Sequence, residues 1–297
     1  MINESSARLI LFSVIEPADP FWSYEINQRG GLSVYERIIS GRYYLKQKDI
    51  LKIQQQIMQR QVKDLEIEIS KAGGVFITPQ DNDWPNSLAD LAMPPIGLVV
   101  AGDRSVLLKL GKSISIVGSR QPTNYGSQLS YSLASQASLA GLVVVSGGAY
   151  GIDTASHQGA LSAGGLSIAV LAGGINRLYP LENLKLFKDI TKSGLLISEV
   201  MPNVESKPYR FLIRNRLIAA LSRSTVVVEA KFVSGSIRTA RDAAEIFRPV
   251  FAIPGPVTSP LSEGCHRLIA ERVADIATSL DEILEVITPL QMRGVKR

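Results

Sequence analysis

Cysteine, histidine and tryptophan are scarce in this chain of 297 residues, which holds one, two and two of them. A lone cysteine, Cys265, excludes an internal disulfide framework and fits a reducing compartment, so a cytoplasmic location is expected. His157 and His266 have no partner at metal-ligand spacing, and neither a metal nor a cofactor is expected. Cys265-His266 reads as a packed cysteine, because adjacency alone does not make a nucleophile–base dyad. The longest apolar runs, such as 165–175, are too short and too glycine-broken to span a bilayer. The opening Met1-Ile-Asn-Glu-Ser-Ser lacks the charged-then-apolar pattern of a secretion signal. No phosphate-binding GxxxxGK[ST] loop and no Gly-x-Ser-x-Gly elbow occurs. Asp153 and Glu229 are possible acid–base carboxylates, but no second acid is placed beside either, and no catalytic residue is expected.

What is present is a large packed core: 45% of residues are hydrophobic and the mean hydropathy is +0.13. The length suits one main domain and a smaller one. Net charge is +5, unevenly spread. Residues 1–112 balance, with 13 Lys+Arg against 13 Asp+Glu, whereas 113–260 carry 14 against 8 and 261–297 carry 5 against 6. Of those 14 central cations, 13 lie between Arg177 and Arg248. A basic face on one domain points to a polyanion, with surface lysines kept for solubility as the plain alternative.

Residues 1–72 read as a small helical domain, with helices over Ser5–Ile15, Gly31–Ile39 and one long stretch Gln47–Lys71 ended by Gly73-Gly74. From residue 73 to 288 the pattern changes to short apolar strands separated by helices. Strands are expected at Val75–Thr78, Ile96–Val100, Ser113–Val117, Leu142–Ser146, Ser167–Leu171, Leu195–Ile197, Thr225–Glu229 and Val250–Ile253. A last helical stretch, Leu268–Ile287, precedes a basic tail over 289–297. The expected fold is α/β: an extended Rossmann-like, doubly wound, mostly parallel sheet after a helical N-terminal domain.

Ligands of such a sheet sit at the carboxyl ends of its strands. The loops there are rich in glycine and serine: Gly118-Ser119-Arg120, then Gly147-Gly148-Ala149-Tyr150-Gly151, then Ser234-Gly235-Ser236 through Thr239. Glycines let backbone N–H groups approach an anion, and hydroxyls add donors. Arg120 is the natural phosphate anchor. Asp153 reads equally well as a helix cap. Arg214 and Arg216, two apart, cannot share a helix face, so one faces the ligand while the other pairs with a carboxylate such as Glu229. Tyr150, Tyr179, Tyr209, Phe211 and Phe232 adjoin these loops, with core packing weighed first for Phe211 and Phe232.

These pieces resemble the DNA-processing protein A (DprA, or Smf) family. They are Ile116-Val-Gly-Ser-Arg120 and Tyr125-Gly126, Ser146-Gly-Gly-Ala-Tyr-Gly-Ile-Asp153, Ala169-Val-Leu-Ala-Gly-Gly174 and Tyr179-Pro180. Ser198-Glu199, Phe211–Ser222, Ser234–Ala240 and Val250–Gly255 continue the match, in order over about 74–285. Trp84-Pro85 and the helical N-terminus also look like the family's start. The resemblance implies a cytoplasmic, dimeric, non-enzymatic protein that binds and protects single-stranded DNA and helps load the recombinase RecA in natural transformation and recombination. The residues it assigns to the strand are Gly118, Ser119, Arg120, Gly147, Gly148, Ala149, Gly151, Arg214, Asn215 and Arg216, and the reading of the loops and rings adds Phe211, Ser234, Gly235, Ser236 and Thr239 as candidates. Leu181 stands where some members carry a basic residue after Tyr-Pro, with Lys185 as a substitute, and Leu212 replaces a frequent proline. A C-terminal winged helix, frequent in the family, is not expected.

Two rival readings remain. The first is a nucleotide-handling enzyme related to the nucleoside-monophosphate phosphoribohydrolases. Those carry Pro-Gly-Gly-x-Gly-Thr with a glutamate shortly after, whereas here the turn is Ser234-Gly-Ser-Ile-Arg-Thr239 and the next glutamate, Glu245, falls six residues later. The second is a protein that works by partner contacts alone.

Overall fold

Continuously apolar strands need cover on both faces, and the sheet provides it. The computed structural model describes residues 2–43 and 47–288, with the side chains of 47–49 outside the described set. The strands are β1 (Val75–Ile77), β2 (Leu98–Gly102), β3 (Ser113–Val117), β4 (Val143–Ser146), β5 (Ser167–Leu171), β6 (Leu195–Ser198), β7 (Thr225–Val227), β8 (Val250–Ala252) and β9 (Asp275–Ile276). They form one nine-stranded sheet in the order β1-β2-β6-β5-β4-β3-β7-β8-β9. From β6 to β9 all pairings are parallel, while β2 pairs antiparallel with β6 and β1 antiparallel with β2. The α/β, mostly parallel architecture is thus as the sequence indicated.

Alternate residues of each central strand enter different cores. Val143, Val145, Ile168 and Val170 pack with Leu217, Ile218 and Leu221 from α9 (Pro208–Ala220) and its C-cap, and with Ala240 from α10 (Gly235–Glu245). Across the sheet, Ile114, Ile116 and Val144 meet Leu133 and Ala137 of α6 (Asn124–Leu139), Ile152 and Ala160 of α7 (Ile152–Ser162), and Ile283 of α12 (Leu280–Ile287). Each fully buried Ile or Leu contributes roughly 1.5–3 kcal/mol. Ala169, Leu171 and Leu196 instead share a third core with the N-terminal helices and with Phe187 of α8 (Leu184–Ile190).

The N-terminal helices are α1 (Glu4–Val14), α2 (Pro20–Arg29), α3 (Gly31–Ile39), α4 (Gln47–Met58) and α5 (Val62–Lys71). The single long helix expected over 47–71 is two, because Gln61 is extended at φ −107°, ψ 130°. Ile57 and Leu65 are buried on either side of the break, so the apolar period survives it. α2 was absent from the sequence reading, although Asp19 caps it by accepting from the Trp22 N–H at 3.0 Å with Pro20 in its first turn. Gly73, at φ +74°, closes α5 as expected, and the Gly74 N–H donates to the Ile69 carbonyl at 3.0 Å. The stretch expected to be helical over 268–287 is divided instead: α11 (Glu263–Ala270), β9, then α12. The basic tail 289–297 lies outside the described residues.

Candidate nucleic-acid interface

The chain runs β3, β4, β5, β6 in one direction across the sheet, then returns to place β7 on the other side of β3. That reversal is the switch point where open α/β sheets bind ligands. The loops leaving β3 and β7 touch there: the Ser119 N–H donates to the Glu229 carbonyl at 2.6 Å. Around them opens a cleft of about 1180 Å³. It is lined by the β3 loop (Gly118, Ser119, Arg120), the β4 loop (Ala149, Gly151), the head of α9 (Phe211, Arg214, Asn215) and the start of α10 (Ser234, Gly235, Ser236, Thr239).

The structure therefore brings twelve of the sixteen sequence-nominated residues to one cavity and leaves four outside its lining. Gly147 lies behind the wall, where an added Cβ would sit 1.9 Å from the Arg214 guanidinium. Gly148 packs against Phe187. Lys185 is exposed on α8 and does not line the cleft. Arg216 is buried, its Nη2 donating to both carboxylate oxygens of Glu199 at 2.7 and 2.9 Å. The expected partner, Glu229, instead accepts from the Thr123 N–H at 2.9 Å and hydroxyl at 2.7 Å, fastening the start of α6.

Arg214 is thus the one of the two arginines that reaches the cleft. It is 5% exposed, and its guanidinium donates to the Val170 carbonyl at 2.6 Å. Burial lowers its pKa to about 10, opposed by the nearby Asp153 carboxylate, so it stays charged at neutral pH. Asp153 is an organiser: its carboxylate accepts from the N–H groups of Gly147 at 3.1 Å and Ala149 at 3.3 Å. Burial raises its pKa, with the Arg214 charge acting against that. It sits in the first turn of α7, whose N-cap is Gly151 at φ +76°. An added Cβ at Gly151 would lie 2.4 Å from the Ser119 carbonyl oxygen, so the β3 and β4 loops close on each other only with glycine there.

α10 enters the cleft with no side-chain cap on its first turn, because the Ser234 hydroxyl pairs with that of Ser236 at 2.9 Å. Asn215 holds this end of α10 against α9 by donating to the Gly235 carbonyl at 2.9 Å. An uncapped helix start beside Arg214 and Arg120 favours an anion. Three rings border the same cavity: Tyr150 and Tyr179 meet edge-on at 6.4 Å, and Tyr179 and Phe211 at 5.6 Å. The Arg120 guanidinium lies over the Phe211 ring at 5.0 Å. Phe211 is a cleft residue rather than core, and Phe232 is 55% exposed under the Arg267 guanidinium.

Lys231 and Glu182 also line the cleft and were missed. Lys231 stands three residues before the Ser234 turn, in the loop already singled out. Glu182 follows Tyr179-Pro180, and nothing in its spacing places it beside Tyr150. Among the described residues, no group of three or more His, Cys, Asp or Glu side chains could hold a metal, and no helix is long and apolar enough to cross a membrane.

Residues 75–288 match the sequence model of the family described as DNA recombination-mediator protein A. The chain is 41% identical over 202 residues to the DNA processing protein DprA of Bacillus subtilis, covering 68% of this chain and 66% of that one. It spans 61% of the length of the Mycobacterium tuberculosis relatives that it also matches. Among solved structures, DprA from Streptococcus pneumoniae superposes with a TM-score of 0.76 at 31% identity, covering 94% of this chain and 95% of that one. DNA processing protein A from Helicobacter pylori, solved for its single-stranded DNA binding mode, gives 0.66 at 29% identity over 73% of this chain and 97% of its own.

Proposed function

The chain belongs to the DNA recombination-mediator protein A family, and from that premise we propose that it binds single-stranded DNA in the switch-point cleft. One observation carries the reading: Arg120, Arg214, Lys231 and the uncapped start of α10 share a single cavity with Tyr150, Tyr179 and Phe211. A single strand needs both partners, cations for its phosphates and rings for its bases. A mononucleotide would fill only part of a cavity of about 1180 Å³. The role is binding without catalysis. The finer parts of the proposal rest on family membership: protection of incoming or processed strands, delivery of them to RecA, action as a homodimer, and a cytoplasmic location.

Fluorescence anisotropy against a labelled strand of a few tens of nucleotides tests this, with duplex competitor and a salt series. The expected result is single-strand preference with a logarithmic salt slope of about −0.7 per neutralised phosphate. Three or four phosphates then lose roughly one to two decades of affinity between 50 and 200 mM salt. Arg120→Ala is expected to weaken binding at least about ten-fold and to make the slope shallower by about 0.7. Binding that ignores Arg120, or no binding at all, overturns the assignment. Release of a free base from nucleoside monophosphates would favour the phosphoribohydrolase alternative.

A further inference from the structure

A phosphate site has no use for an exposed carboxylate, yet the cleft contains one. Glu182 lines it together with the cations Arg120, Arg214 and Lys231. Among the described residues, Glu182 forms an ion pair with none of these, nor with Lys185 one turn along the chain. Its partner is the Tyr150 hydroxyl, which donates to Oε2. That bond holds the carboxyl below its usual range, so the group is ionised at neutral pH. The other cleft carboxylate, Asp153, is buried and occupied by the Gly147 and Ala149 N–H groups. Glu182 is therefore a fixed, solvent-facing negative charge where a polyanion is expected to lie.

Such a charge opposes binding unless the ligand offers it a donor. On DNA, the donors that suit a carboxylate are the amino groups of the bases, cytosine N4–H₂ among them. Thymine presents the O4 acceptor where cytosine presents that amino group. Its N3–H is flanked by two carbonyl oxygens that a carboxylate repels. The location fits base contact rather than phosphate contact. Glu182 is tied to the ring edge of Tyr150, the outer member of the Tyr150–Tyr179–Phe211 row. A base laid on that ring brings its edge to the carboxylate, while the phosphates follow Arg120, Lys231 and the start of α10. The Tyr150 bond also fixes both side chains before the strand arrives, which lowers the ordering cost of the contact.

We propose that Glu182, held by Tyr150, is a specificity determinant that makes the cleft favour single strands carrying an amino-bearing base over thymine. The inference rests on the single-strand reading above, and its test separates the two. Affinities of oligo(dC) and oligo(dT) of equal length are measured by anisotropy at neutral pH, for the wild type and for Glu182→Gln. A hydrogen bond to a charged group predicts that the wild type favours oligo(dC) by roughly ten-fold. Gln accepts from cytosine N4 and donates to thymine O4, so Glu182→Gln is expected to bring the two within about two-fold. Tyr150→Phe, which frees the carboxylate but keeps the ring, should shrink the ratio of oligo(dC) to oligo(dT) affinity. Equal wild-type affinity for the two strands overturns the proposal. So does an equal rise for both in Glu182→Gln, which would make the carboxylate a mere repellent. Absence of binding to either strand would sink the single-strand reading itself.

Discussion

Gly147→Ala tests the geometry behind the cleft most directly. The added methyl would lie 1.9 Å from Arg214 Nη1 and 2.5 Å from Cζ and Nη2. Ordinary contact between non-bonded atoms is near 3.5 Å, so the guanidinium must retreat by about 1.5 Å. Arg214 is 5% exposed and bonded to the Val170 carbonyl at 2.6 Å, so retreat breaks that bond. Overpacking and the loss of a charge-assisted hydrogen bond together give about 2–4 kcal/mol of destabilisation. For a chain of this size that is a fall in Tm of roughly 3–6 °C. Calorimetry supplies the stability and strand anisotropy the affinity, which should fall because Arg214 no longer occupies its place in the cleft. The cycle with Arg214→Met decides the cause. A flexible thioether yields to the methyl, so Gly147→Ala should cost at least about 1 kcal/mol less in that background. A cost below about 0.5 kcal/mol in the wild type, or an identical cost in both backgrounds, refutes the clash.

Three further predictions concern the interior. Glu199→Ala leaves Arg216 charged and buried without its partner, and is expected to destabilise by about 3–5 kcal/mol in urea unfolding, whereas a double replacement by apolar residues should cost far less. Burial lowers the pKa of His157 from 6.5 to about 3, with the Arg214 charge adding to it. The unfolded chain therefore binds a proton that the folded one refuses between these values, and stability falls as pH drops through that window by up to roughly 1.4 kcal/mol per unit. In a pH series of unfolding curves His157→Gln should remove this component of the slope, and an unchanged slope would refute the assignment. Burial pushes the Cys265 thiol up to about 12, so a thiol reagent at pH 8 should label it only on unfolding, with rapid labelling of the native protein as the contrary result.

Much of the fold was legible because its cause is local. Glycine at 73 stops a helix whatever surrounds it, and the apolar runs at 113–117, 143–146 and 167–171 can be stable only in a sheet covered on both sides. Legibility failed where the period was right but the chain bent within it, as at Gln61, and where a short strand such as Asp275–Ile276 has no apolar signature because it is an exposed edge. The glycine- and serine-rich loops pointed to the cleft because backbone approach to an anion needs them wherever the strands end.

The sequence by itself determined the α/β class, the succession of strands and helices, and most of the loops that line the cleft, since hydrophobic period and turn chemistry act over a few residues. Only the tertiary structure decided between Arg214 and Arg216. They share a helix, but Glu199, from the end of β6, reaches one, while the cleft between β3 and β7 receives the other. It also brought Lys231 into that cleft and set Glu182 beside Tyr150, 32 positions away in the chain. Charge pairing and pocket lining depend on which loops the sheet order makes neighbours, and that order is fixed by the packing of the whole chain.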